Sequence, residues 1–450
     1  MKAGLAACYG QERLPRYTSY PTAPHFSGAV GPEDYAQWLT AIPRNATASL
    51  YLHVPFCRSM CWYCGCHTTI ARRDEPIAVY EGALRREIEL VARQIDRRIK
   101  VDHIHFGGGT PTIMAPESFT ELMAKIRQSF FVLASAEVAI EIDPRRLSAP
   151  MIDALALGGV NRASLGVQSF DRAVQHVINR VQTFEETAAV AGNLRRAGIA
   201  GLNFDLIYGL PHQTIASCLD TVRRAIELRP ERFAVFGYAH VPAFKKHQRK
   251  IDESSLPDSG ERYDQACAIA DALKKAGYVQ IGLDHFALPS DEMAIALREG
   301  RLRRNFQGYT TDLSTLLLGF GASAIGQLPH GYVQNEVPIR AYSDAIACGK
   351  FATAKGYALT DEDRLRAEII ERIMCDFGVD LGAVCARHGA GTDAILKSAP
   401  RLKELVRDGI VKLEGTSLKI ADDSRFLVRS VAAAFDTHLD QSKRLHSRAV

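Results

Sequence analysis

Between residues 49 and 241 six short β-type runs recur, each followed by a helical pattern, and this alternation restricts the fold to parallel β/α units. The runs are SLYLHVPF (49–56), VDHIHFGGG (101–109), EVAIEID (137–143), RASLGVQSF (162–170), GLNFDLIYGL (201–210) and RFAVFGYAHV (232–241). Between them, VYEGALRREIELVARQI and TFEETAAVAGNLRRAG carry apolar residues at three- and four-residue spacing, and the second stops at Gly198 as a helix terminus does. YVQIGLDHFAL (278–288) reads as a further unit. Six or so such units make either an open doubly wound sheet or a barrel, complete or incomplete, and periodicity alone does not separate these.

From about Ala352 the pattern changes to helices, TDEDRLRAEIIERIMCDFG and GTDAILKSAPRLKELVRDG, then a hairpin-like IVKLEGTSLKI and the helical DSRFLVRSVAAAFDTHL. The expected division is therefore 1–45, 46–350 and 351–450, the last a mostly helical domain. Its helix, hairpin, helix order is similar to a winged-helix unit, but no dense Lys/Arg face marks a reading helix, so a packing role is expected and no nucleic acid. A net charge of +4 over 450 residues is equally weak evidence for nucleic acid, yet compatible with an acidic substrate. No run of about eighteen apolar residues is present, so no membrane span is expected. MKAGLAAC places only a few apolar residues before Cys8, where a secretion signal needs roughly 7 to 15. The ten cysteines are accordingly expected to stay reduced, in the cytoplasm.

Four of those cysteines fall within CRSMCWYCGC (57–66), directly after the first strand, where β/α folds place their chemistry. The spacing is Cys57-x3-Cys61-x2-Cys64, then one residue and Cys66. Structural zinc takes paired ligands from two separated pieces of chain, and no second CxxC or matching His pair exists; zinc with His67 as fourth ligand stays open as the lesser alternative. An iron-sulfur cluster accepts several thiolates from one compact loop, and three sulfurs would leave one iron open to a ligand.

YLHVPFCRSMCWYCGC resembles the radical S-adenosylmethionine (SAM) superfamily. With RYTSYPTAPHF (16–26), HFGGGTPT (105–112), DLIYGLPHQT (205–214), LDHFALPSDE (283–292), RNFQGYTT (304–311) and AFDTHL (434–439), nearly the whole chain resembles the oxygen-independent coproporphyrinogen III oxidase family within it. The resemblance implies an incomplete parallel (β/α)6 barrel, an N-terminal segment near its mouth and a helical C-terminal domain. It implies a 4Fe-4S cluster on Cys57, Cys61 and Cys64, whose unique iron chelates one SAM, with Cys66 left as a catalytic candidate. A fourth protein thiolate on that iron would block SAM. By the same resemblance Tyr51, Tyr63, Gly108 and Glu141 contact the cluster-bound SAM. Gly109, Thr110, Gln168, Arg180, Asp205, Ala239 and Ile325 contact a second SAM.

The implied reaction begins with a 5'-deoxyadenosyl radical formed by reductive cleavage of SAM. It abstracts hydrogen from the β-carbon of a propionate, and loss of carbon dioxide and an electron leaves a vinyl group. Coproporphyrinogen III becomes protoporphyrinogen IX, with an unidentified electron donor and acceptor as partners and the enzyme a monomer. Candidate donors to the four propionates are Arg16 with Tyr17 and Tyr20, the cluster Lys245, Lys246, Arg249 and Lys250, Arg303 with Arg304, and His285. Each of these basic groups also reads as a solvated surface. The alternative is a haem chaperone of the same superfamily. Such chaperones lack an equivalent of Cys66 and of RYTSYPT, both present here. A radical SAM methyltransferase is less well supported, because its extra motifs are not evident.

Overall fold

The computed structural model describes Tyr9 and residues 12–439. Cys8 and the signal-like stretch before it lie outside them. Six parallel strands follow the predicted order: β1 (Thr47–Val54), β2 (Lys100–Gly108), β3 (Phe131–Ile142), β4 (Arg162–Gln168), β5 (Gly201–Tyr208) and β6 (Arg232–Gly237). Helices α1 (Glu75–Ile95), α2 (Pro116–Ser129), α3 (Ala149–Leu157), α4 (Phe184–Arg196), α5 (Ile215–Glu227) and α6 (Ser259–Lys275) alternate with them and follow the last. Capping boxes start three of these: Thr183 with Glu186 in α4, Thr214 with Ser217 in α5 and Asp258 with Glu261 in α6. Each side chain satisfies backbone N–H groups that the first helical turn leaves without partners.

Alternation along each strand sorts the two faces. Leu50, Leu52 and Val54 of β1 join Ile104 and Phe106 of β2 and Leu165 and Val167 of β4 in the apolar layer under the helices. The other face is polar. There Tyr51 is in register with His105, Glu141 with Ser164, and Gly166 with Asp205. All six carboxyl ends lie at one rim because the strands are parallel. The rest of the sheet consists of β9 (Leu316–Phe320), β10 (Ile325–Leu328), β11 (Gly331–Asn335) and β12 (Thr353–Ala358) beyond β1, with β7 (Val279–Ile281) and β8 (His285–Ala287) beyond β6. The sheet stays open between β12 and β7, which makes the barrel incomplete.

Three expectations need correction. The stretch 278–288 is not a further β/α unit. Gly282 at φ +55° turns the chain within three residues, so β7 and β8 form a hairpin whose second strand runs antiparallel to β6. A seventh parallel strand, β9, flanks β1; its short apolar run LLLGF has no period that separates strand from buried helix. The sheet also continues past residue 351, because β12 pairs with β11.

After β12, helix α7 (Asp361–Asp376) leads into a small antiparallel sheet of β13 (Gly378–Asp380), β14 (Val411–Glu414) and β15 (Ser417–Ile420). The N-terminal segment packs here: Leu14, Tyr17 and Tyr20 share an apolar cluster with Ile369, Val431 and Phe435. Tyr17 donates to Asp436 Oδ2 at 3.0 Å, and the Tyr20 hydroxyl lies 3.0 Å from that of Thr437. Among the described residues no helix is long and apolar enough to cross a membrane.

Candidate active site

The cysteine loop leaves β1 at the rim and is tied down on every side. Trp62 N–H donates to Ile178 O at 2.9 Å, Asn179 Nδ2 to Met60 O at 2.7 Å, and Ala71 N–H to Cys57 O at 3.0 Å. Below it runs the glycine turn at the end of β2. A Cβ on Gly109 would meet Phe56 O at 2.5 Å and Thr68 Oγ1 at 2.6 Å, and Gly109 N–H donates to Val54 O at 2.9 Å. Gly108 stands at φ +117°, a backbone region that suits glycine, and a Cβ on Gly107 would lie 2.9 Å from Glu141 Oε1. The turn therefore needs its glycines for two reasons: close packing, of Gly109 against the loop and of Gly107 against Glu141 and Tyr51, and the unusual backbone angle of Gly108.

The three expected ligand sulfurs sit in different surroundings. Cys57 Sγ accepts from Thr68 Oγ1 at 3.3 Å and lies 3.4 Å from Thr110 Oγ1, while burial pushes its thiol up. Cys61 is buried, with Arg145 Nη2 and Arg180 Nη1 each 3.6 Å from its sulfur. Cys64 Sγ accepts the backbone N–H of Cys66 at 3.4 Å; the hydrogen bond between the two thiols lowers the first and raises the second. Cys66 is exposed at the edge of the loop.

This donor set fits a thiolate-held iron-sulfur cluster. Three cysteines stand on one compact loop, near enough that Cys61 and Cys64 act on Cys57 electrostatically, and two guanidinium groups beside Cys61 offset negative charge. A second observation points to a ligand beside the loop. Gln168 closes β4 at φ +67°, is 9% exposed, and its Oε1 is buried without a hydrogen-bond partner. Such an atom is costly unless something bound there donates to it. Gly166 lets Gln168 and Arg180 approach each other, since a Cβ there would stand 3.0 Å from both Gln168 Nε2 and Arg180 Nη2.

The remaining candidates fall into groups. Tyr51 stacks on His105 and hydrogen-bonds His53 Nδ1 at 2.9 Å, with burial raising Tyr51 and lowering His53. Glu141 Oε2 takes the Gly108 N–H at 3.1 Å. Asp205 accepts from Ser164 Oγ at 2.9 Å and Asn203 Nδ2 at 2.7 Å, and burial pushes it up to about 6, with the charge of Glu141 adding to the rise. Tyr63, its hydroxyl pushed up by burial, is joined to Ala239 through one side chain: Gln248 Nε2 donates to Tyr63 O at 3.0 Å and to Ala239 O at 3.2 Å. Ile325 lies on the other arm of the sheet, at the start of β10, where its carbonyl covers Gly319 of β9.

The basic groups divide differently from the sequence reading. The segment 245–250 braces the cysteine loop, with Lys245 donating to Cys66 O at 2.9 Å, His247 Nε2 2.7 Å from Cys64 O and Lys250 over the Trp62 ring. Lys246 and Arg249 are exposed. Arg303 is taken by Glu371 of α7 at 2.9 Å, whereas Arg304 donates to the carbonyls of Arg16 and Tyr17. Tyr17 and Tyr20 point into the C-terminal packing. His285 Nδ1 is 2.6 Å from Asp284 Oδ1. Among the described residues, the metal-competent trio within 4.8 Å is Asp102, His103 and Asp312, at the amino ends of the strands. Its oxygens accept from Ser49 and Ser314, so it closes the bottom of the sheet.

Sequence reasoning missed Thr68, Arg145, Asn179 and Gln248. Only Arg145 carried a signal, in DPRR directly after the third strand; the others act through single hydrogen bonds between distant loops.

The profile of the Radical SAM superfamily matches residues 51–225, and that of the HemN C-terminal domain matches 359–427. The oxygen-independent coproporphyrinogen III oxidase of Bradyrhizobium diazoefficiens is 70% identical over 450 residues, 100% of both chains. That of Cereibacter sphaeroides (strain ATCC 17025 / ATH 2.4.3) is 43% identical over 426 residues, 95% of this chain and 94% of its own. The solved structure of coproporphyrinogen III oxidase (HemN) from Escherichia coli, a radical SAM enzyme, superposes with a TM-score of 0.90 at 37% identity, covering 95% of this chain and 100% of its own. With the cysteine loop, the glycine turn and the C-terminal part all inside these matches, the chain belongs to the oxygen-independent coproporphyrinogen III oxidase family of the radical SAM superfamily.

Proposed function

We propose that this chain converts coproporphyrinogen III to protoporphyrinogen IX without oxygen, turning the propionates on rings A and B into vinyl groups in haem biosynthesis. The observation that carries this is the three-cysteine loop at the barrel rim of a chain 70% identical, end to end, to an oxidase of that name. The haem-chaperone alternative is set aside, because the match to the oxidases includes the N-terminal RYTSYPT segment.

A 4Fe-4S cluster on Cys57, Cys61 and Cys64, with SAM on the iron that no protein thiolate takes, supplies the one-electron chemistry that removes hydrogen from a propionate β-carbon. The protein's own part is placement. Arg145 and Arg180 hold positive charge against Cys61, and Thr68 and Thr110 hold Cys57. Glu141, fixed by the Gly108 N–H and with His105 Nε2 at 3.5 Å from Oε1, offers a carboxylate to an ammonium or hydroxyl group, with Tyr51 beside it and Tyr63 near Cys61 and Cys64. Gln168 and Arg180 meet at Gly166 and suit a second SAM together with Gly109, Thr110, Asp205, Ala239 and Ile325. Cys66 keeps its thiol for the catalytic step. The described part of the N-terminal segment and the C-terminal domain, which begins once β12 has completed the sheet, pack together beside the catalytic region. A one-electron donor and a final electron acceptor complete the reaction. In this reading the enzyme acts as a monomer, and in the cytoplasm, where thiols stay reduced.

Anaerobic incubation of the reconstituted protein with SAM, a reductant and coproporphyrinogen III tests this reading. Protoporphyrinogen IX, with SAM consumed, is the expected product. SAM cleavage with the porphyrinogen recovered unchanged would reject it.

A further inference from the structure

A cavity of about 1370 Å³ opens outside β6, between α6, residues 13–16 of the N-terminal segment and residues 422–429 of the C-terminal domain. Six arginines line it, among them Arg16, Arg262, Arg304 and Arg429 from four separate parts of the chain. Two of them grip one short strip of backbone. Arg304 donates to the carbonyls of Arg16 at 3.1 Å and Tyr17 at 3.2 Å, and Arg429 to those of Leu14 and Pro15. Arg304 Nη1 is buried without a hydrogen-bond partner. Five carboxylates share the wall: Asp422 faces Arg425 at 2.7 Å, Glu253 faces His240 at 3.0 Å, Asp284 faces His285 at 2.6 Å with Arg304 and Arg16 also lowering it, and Asp271 and Asp423 complete the set. Burial, with Arg16 and Arg304 nearby, pulls Arg429 down to about 10. The Arg304 Nη1 donor, buried without a partner, is one that an anionic ligand would satisfy.

The cavity reaches the site described above. A Cβ on Gly237, the last residue of β6, would meet Arg262 Nη2 at 3.1 Å. Ala239, two residues on, is part of the wall and shares Gln248 with the cysteine loop. Phe236, Phe286 and Phe426 give the same wall apolar surface. A ligand with several carboxylates around an apolar body would find both kinds of partner here.

We propose that Arg16, Arg262, Arg304 and Arg429 form the carboxylate receptor for the substrate, holding propionates in this cavity while another is presented at the rim beside Ala239. The inference rests on the substrate named above and adds where, and by which residues, it is held. A planar guanidinium pairs with a carboxylate through two parallel N–H donors, which a lysine does not reproduce.

The test uses the anaerobically reconstituted enzyme and coproporphyrin III, the stable oxidised tetracarboxylate, with binding followed by porphyrin absorbance and turnover of coproporphyrinogen III measured alongside. Arg262→Gln and Arg304→Gln are each expected to weaken binding at least about tenfold and to raise KM more than they lower kcat. Arg340→Gln, which removes an exposed arginine on a distant helix, is expected to bind as the unmodified enzyme does. The tetramethyl ester, which lacks the charges, is expected to bind the unmodified enzyme at least about tenfold more weakly than the free acid. Unchanged affinity in both cavity variants, or an ester that binds as tightly as the acid, overturns the inference; if a variant fails to fold, the ester comparison decides alone. If the unmodified enzyme turns coproporphyrinogen over while the variants bind normally, only this location fails. If it neither binds nor converts the tetracarboxylate, the functional reading fails with it.

Discussion

Arg180 Nη1 lies 3.6 Å from the Cys61 sulfur, inside a buried site where the same guanidinium also holds the Gly166 carbonyl and stands 3.5 Å from Asp143. Asp143 stays ionised there: against burial, Arg145 and Arg180 hold it below the usual carboxylate range. A fixed positive charge this close to a cluster ligand favours the more negative, reduced state of the cluster. Arg180→Gln is therefore expected to keep its iron and to lower the cluster's midpoint potential, by an amount on the order of tens of millivolts. Redox titration followed by electron paramagnetic resonance reads this. An unchanged potential would show that Arg180 does not act on the cluster.

Gly109→Ala tests the packing beneath the cysteine loop. The new methyl group would fall 2.5 Å from Phe56 O, a backbone atom one residue before Cys57, so the loop must move. Iron content after reconstitution is expected to fall by more than half relative to the unmodified protein, with thermal stability lowered by about 1 to 3 kcal/mol. Full iron loading and unchanged melting would mean that the turn is looser than its geometry indicates.

The six-strand core and the cysteine loop were legible because each rests on a local pattern: apolar runs, helix caps and a four-cysteine spacing. What escaped depended on pairing between distant segments. The apolar run of β9 gives no clue that it will lie beside β1, and the role of Gln248 exists only once Tyr63 and Ala239 are brought together. Basic runs were the least legible. Lys245 and Lys250 brace the cysteine loop and Arg303 pairs with Glu371, while Arg262 and Arg429, unremarkable in sequence, line the large cavity.

Glu87 gives the fold a pH dependence of its own. It is buried in α1 and accepts from Gly321 N–H at 2.7 Å, Asn335 Nδ2 at 2.6 Å and Tyr342 at 2.8 Å, yet burial raises it from 4.5 to about 7. Between those values the folded state keeps a proton that the unfolded chain has released. Its contribution to stability is thus complete below about 4.5 and is lost as pH rises through 7. The slope is at most about 1.4 kcal/mol per pH unit. In denaturant titrations at pH 5, 6 and 7, the unmodified protein is expected to lose stability with pH faster than Glu87→Gln does. Parallel trends would remove Glu87 as the source.

The central claim is that three of the four clustered cysteines hold the cluster and the fourth does not. Cys57, Cys61 and Cys64 each sit against groups that steady a ligand sulfur, whereas Cys66 stands exposed one residue past the loop. Iron and sulfide content, with electron paramagnetic resonance of the reduced protein before and after SAM addition, should be measured on the four single Ala variants. Cys57→Ala, Cys61→Ala and Cys64→Ala are expected to lose or degrade the cluster and its response to SAM, while Cys66→Ala keeps about four irons and a SAM-dependent spectrum and loses porphyrinogen turnover. Cluster loss in Cys66→Ala, with full retention in any of the other three, would contradict the account.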